Sequence, residues 1–79
     1  MKTIEVLGHG CNNCKRLEAN ARKAVTSTEV EAEIRHITDD AEIMTYGILS
    51  TPGLVIDGSV VSYGRVPSAG DIATWLRGG

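Results

Sequence analysis

An α/β fold of order βαβαββα, a four-stranded mixed sheet with three helices, is predicted for this chain by three features. Apolar residues alternate over 3–7 and then recur at three and four from Asn12, so a strand runs into a helix. Two short runs rich in β-branched residues flank Asp57-Gly58, a pair suited to a two-residue hairpin turn. A last apolar stripe follows Ser68, a good helix cap, and closes the chain as a helix.

The elements follow in order. "TIEVL" (3–7) is the first strand. Cys14, Leu17, Ala21, Ala24 and Val25 form the stripe of an amphipathic helix that fades at "TST" (26–28), with Glu18, Arg22 and Lys23 away from it. "VEAEIRHI" (30–37) alternates again, with Val30, Ala32, Ile34 and His36 on one face, and is predicted as a strand. "TDDAEIMTYG" (38–47) is a short helix that Thr38 or Asp39 can cap. Asp39 and Glu42 make a variant capping box there, and Gly47 stops the helix. "GLVID" (53–57) and "SVVSY" (59–63) are the hairpin strands. In "PSAGDIATWLRGG" (67–79), Ser68 caps a helix, Asp71 suits its positive end, and Ala69, Ile72 and Leu76 share a face beside Trp75. The first βαβ unit is expected to be a parallel right-handed crossover, to which the hairpin adds antiparallel strands. Without repeats, low-complexity tracts or linkers, residues 1–79 are expected to form one domain.

Composition narrows the function. A chain of 79 residues buries only about 60–65% of the surface its unfolded form exposes, so modest stability is expected. Net charge is −2 with no basic run, and three aromatics (Tyr46, Tyr63, Trp75) offer little for base stacking, which argues against nucleic acid as a partner. No apolar stretch approaches the ~20 residues that span a bilayer, and "MKTIEVLGHG" lacks a signal-peptide core. A monomeric cytoplasmic protein is expected. In that compartment a Cys-x-x-Cys pair is catalytic, redox-sensing or metal-binding more often than structural.

The two cysteines are Cys11 and Cys14, at the strand-to-helix junction in "GHGCNNCKRLEAN" (8–20). Helical residues three apart have Cβ atoms about 5–6 Å apart, near the ~3.5–4.5 Å of a disulfide. Such a bond closes a loop of four residues, so it removes little entropy from the unfolded chain and is a poor staple. The two sulfurs should differ. Cys14 begins the apolar stripe and points inward. Cys11 precedes the first turn, where unpaired N–H groups, the helix dipole, Lys15 and Arg16 favour a thiolate. That is the layout of an attacking and a resolving thiol. Asn12 and Asn13 between them are polar and uncharged.

At this point the sequence resembles the thioredoxin-like superfamily, most closely its small archaeal and bacterial redox-active-disulfide members, glutaredoxin-like or thioredoxin-like. The resemblance rests on Gly10-Cys11-Asn12-Asn13-Cys14 between strand and helix, on "YGILSTPGLVIDG" (46–58), and on Gly64 after the last strand. It covers residues 3 to 77. It implies a thiol–disulfide oxidoreductase that reduces or exchanges disulfides, with Cys11 as nucleophile and Cys14 as resolving cysteine. Pro52 matches a cis-proline facing the cysteines, and Thr51 the residue whose backbone pairs with substrate. It implies no cofactor. The partners would be a disulfide-containing protein or small-thiol substrate and a reductase. Gly10 and Asn12-Asn13 stand where thioredoxin has Trp and Gly-Pro. No acidic residue obviously replaces its buried aspartate, and there is no glutathione-binding Tyr within the motif.

Two other readings stay open. Cys11, Cys14 and His9 could supply thiolate and imidazole ligands for zinc, and a Cys-x-x-Cys after a first strand also suits copper(I). Copper-binding heavy-metal-associated domains run βαββαβ and end in a strand, whereas this chain ends in a capped helix and carries Thr51-Pro52. His9 alone is most simply an exposed loop residue, and His36 a half-buried strand residue. The other reading is a thioredoxin-like adaptor or redox sensor without catalysis.

Overall fold

Alternation along the first segment divides the structure into two faces. The computed structural model describes residues 2–9, 12–48 and 50–78. Its elements are β1 (Lys2–Leu7), α1 (Asn12–Thr28), β2 (Ala32–Ile37), α2 (Asp40–Thr45), β3 (Gly53–Ile56), β4 (Ser59–Tyr63) and α3 (Ala69–Leu76). The sheet order is β2-β1-β3-β4. β1 and β2 pair in parallel, with Ile4 beside Ile34. β1 and β3 are antiparallel, with Leu7 beside Gly53, and so are β3 and β4, with Gly53 beside Tyr63. The predicted element order and mixed four-stranded sheet are therefore observed.

Ile4, Val6, Leu54 and Ile56 face α1 and α3, where they pack against Leu17, Ala21, Ala24, Ile72, Ala73 and Leu76. Leu7 and Val55 face the other way, against Ile43 of α2. With helices on both faces, all four residues of β3 are buried. This explains its continuous apolar run, which does not alternate. α1 and α3 are also tied by Asn20, whose side-chain N–H donates to the Pro67 carbonyl at 3.0 Å.

Local chemistry sets the boundaries. Asp39 caps α2, its carboxylate accepting from the Ala41 N–H at 2.9 Å, and Ser68 caps α3, accepting from the Asp71 N–H at 3.1 Å. β2 begins at Ala32, two residues later than alternation predicts, opposite Lys2, whose N–H donates to the Glu31 carbonyl at 3.0 Å. In α3, Ala73 joins Ile72 and Leu76 in the core, while Ala69 is only half-buried. Asp57 and Gly58 both have positive φ, 50° and 82°, as a type I′ turn requires. The Asp57 carboxylate then reaches back to β1, accepting from the Thr3 N–H at 2.9 Å and pairing with Lys2 at 3.4 Å. The Thr3 N–H foremost, with Lys2, holds this carboxyl below its ordinary pKa. Among the described residues, no helix is long and apolar enough to cross a membrane.

Candidate functional site

The apolar stripe of α1 begins at Cys14, and that position decides where its sulfur goes. Cys14 lies in the first turn of α1 and is fully buried, while Asn12, Asn13, Lys15 and Arg16 around it are exposed. The sulfur rests against the backbone of Gly8, just past the end of β1. A β-carbon added at Gly8 would overlap Cys14 Sγ and would stand 3.7 Å from the Cβ of Thr51. Three separated segments therefore meet here: the end of β1, the start of α1, and the segment leading into β3.

That third segment carries two of the predicted site residues. Thr51 is exposed, Pro52 is buried, and the bond between them is cis. The Pro52 carbonyl accepts from the Gly64 N–H at 2.9 Å, so the end of β4 anchors the segment on its far side. On the near side, the Gly8 N–H donates to the Ile37 carbonyl at 2.9 Å. Cys11, the predicted nucleophile, lies outside the described residues together with Gly10.

The electrostatics around α1 are positive. Its first turn carries no acidic residue, and Lys15 and Arg16 follow directly. His9 is exposed and its Nε2 lies 2.5 Å from Asp40 Oδ1, a pairing that links the β1–α1 connection to the start of α2. Sequence spacing alone does not suggest that pairing, because the partners are 31 positions apart. Among the described residues, no group of three His, Cys, Asp or Glu side chains could hold a metal ion. The one acidic residue in the middle of β1, Glu5, is occupied elsewhere. It accepts from the Tyr46 hydroxyl at 2.9 Å on the α2 side, and that bond foremost holds the phenol above its ordinary pKa.

Residues 2–77 match the thioredoxin domain family. The chain belongs to the thioredoxin family. It is 40% identical over 72 residues to a thioredoxin of Methanothermobacter thermautotrophicus, covering 91% of this chain and 94% of that protein. It is 35% identical over 77 residues to a thioredoxin of Methanocaldococcus jannaschii, covering 98% and 88%. As a family member the chain is a thioredoxin-like redox protein of the thiol–disulfide oxidoreductase class. Sequence reasoning reached that class through the cysteines and Thr51-Pro52. It missed Gly8, for which the sequence offered no signal beyond a glycine at the end of a strand.

Proposed function

We propose that this thioredoxin family member reduces or exchanges disulfides through Cys11 and Cys14, with Cys11 attacking and Cys14 resolving. The observation that carries the reading is the placement of Cys14: fully buried in the first turn of α1, against Gly8 and beside Thr51. A sulfur held there cannot meet a bulky substrate directly, but it is only three positions along the chain from Cys11. The helix N-terminus, Lys15 and Arg16 favour a thiolate at Cys11. That thiolate attacks one sulfur of a substrate disulfide and releases the other as a thiolate. Cys14 then attacks the Cys11 sulfur of the mixed disulfide. The second substrate thiolate leaves, and the protein keeps a Cys11–Cys14 disulfide. Two electrons pass to the substrate, and a reductase or a small thiol returns them.

Thr51 and Pro52 form the wall on which an extended substrate rests, with Thr51 supplying backbone pairing. The substrate is a protein disulfide or a small disulfide, and the whole chain acts as one domain. The test is trapping. Cys14→Ser should accumulate a covalent mixed disulfide through Cys11 when mixed with a peptide disulfide, seen as one added mass. Equal trapping by Cys11→Ser through Cys14 would refute the assigned roles, and trapping by neither variant would remove the reading.

A further inference from the structure

We infer that Gly8 is a positioning residue for the resolving step: its bare backbone fixes where the Cys14 sulfur sits. The inference rests on the proposed role of Cys14. Gly8 is buried, and its N–H bond to the Ile37 carbonyl at 2.9 Å holds its backbone against the end of β2. Cys14 is fully buried, so its sulfur cannot move aside into solvent and must change its packing to make room. A β-carbon at position 8 would overlap Cys14 Sγ, whereas the Cβ atoms of Cys14 and Thr51 would each stay at an ordinary 3.7 Å. The steric conflict is therefore with the sulfur alone, while the φ of +158° at Gly8 adds a backbone strain that is the same whether or not the sulfur is present.

A side chain so displaced leaves its staggered well for another, and for a cysteine that step moves the sulfur by roughly 3 Å. In the resolving step, Cys14 Sγ forms a bond to Cys11 Sγ while the bond from Cys11 to the substrate sulfur breaks. The substrate leaves as a thiolate and takes up the proton that Cys14 gave up. Displacement at sulfur needs attacker, centre and leaving group aligned, and misplacement by about 1 Å can cost about a hundredfold in rate. The first step, attack by Cys11 on the substrate, does not involve the Cys14 sulfur. Gly8 thus acts on one half of the cycle and leaves the other alone.

The experiment uses reduced Gly8→Ala protein in excess over dithiobis(nitrobenzoate). The first thionitrobenzoate released reports attack by Cys11, and the second reports resolution by Cys14. The expected result is a first phase within about threefold of wild type and a second phase slowed about tenfold or more, with the mixed disulfide visible by mass. Release of the second equivalent at the wild-type rate overturns the inference. If the wild-type protein itself shows no second, Cys14-dependent phase, the proposed roles of the cysteines fail instead, and Cys14→Ser distinguishes the two outcomes.

Thermal unfolding of reduced Gly8→Ala, Cys14→Ala and the double variant tests the contact without activity. Gly8→Ala should lower the midpoint by about 4 °C or more in the wild-type background and by less than half as much in Cys14→Ala. If Gly8→Ala alone does not fold, the double variant should. Additive losses, or a double variant that also fails to fold, overturn the contact.

Discussion

Gly64 anchors the segment that carries Thr51 and Pro52, and its replacement by alanine separates a general loss of stability from a specific loss of function. Gly64 has φ +74°, and its N–H holds the Pro52 carbonyl at 2.9 Å. An L residue in that left-handed conformation costs about 1–2 kcal/mol. The new β-carbon would also stand 2.5 Å from Ser50 Oγ. Ser50 is exposed, so its hydroxyl can swing away for about 0.5–1.5 kcal/mol. The sum is about 1.5–3.5 kcal/mol. At about 4–8 °C per kcal/mol for a chain of this size, the melting midpoint should fall by 6 °C or more. Gly47 supplies the control. It has φ +73° but would meet nothing within 4 Å, so Gly47→Ala carries the conformational cost without the contact. The assay is calorimetric melting beside the rate of reduction of a peptide disulfide at a temperature where both variants are folded. On the proposed substrate role of Thr51 and Pro52, Gly64→Ala should lose about tenfold or more in rate, because relief of its positive φ moves the N–H that holds the Pro52 carbonyl, while Gly47→Ala stays within about twofold. Ser50→Gly added to Gly64→Ala should restore part of the stability loss, since it removes the contact with the hydroxyl. Equal rate losses in the two glycine variants, or full activity in Gly64→Ala, would refute the reasoning.

Two further outcomes follow from the core and the hairpin. Leu54 is fully buried on β3 between α1 and α3, so Leu54→Ala should cost about 2–5 kcal/mol out of a total near 4–12 kcal/mol for a chain this long. Urea unfolding reads that loss, and a midpoint unchanged from wild type would contradict the packing. Asp57 has its folded pKa held below the ordinary 3.8, chiefly by the Thr3 N–H, so its contribution is present above that value and is lost as pH falls through the lower one. Asp57→Asn should therefore lie below wild type at about pH 6 and converge on it towards about pH 2, and a constant gap across that range would refute the assignment.

How much of this could be read from the sequence depended on the range of the interactions. The α1 stripe, the Asp57-Gly58 turn and the Asp39 and Ser68 caps are local, and periodicity or capping chemistry exposes them directly. The same stripe placed Cys14 inward, where it is found. Contacts between segments distant in sequence carried no such signal. Asp57 bonds Thr3 across 54 positions, and His9 pairs with Asp40 across a crossover. β2 could be recognised by alternation, but its first residue could not. That boundary depends on where β1 begins to pair, which the β2 sequence does not contain.

The least legible part of the candidate site is the part made of glycine. Neither Gly8 nor Gly64 bears a reactive group, so a search for chemistry passes over Gly8, and Gly64 entered only through the family resemblance. Yet one lies against the Cys14 sulfur and the other against Ser50, on opposite sides of the segment that carries Thr51 and Pro52. Each is also fixed by its own backbone N–H, Gly8 to Ile37 and Gly64 to Pro52. A scaffold with few residues can hold a loop firmly by setting bare backbone against it, since close packing then needs no side-chain ordering. Changes at these two glycines should consequently be more damaging than changes at Lys15 or Arg16. Those side chains are exposed, and each adds only a screened charge beside the cysteines.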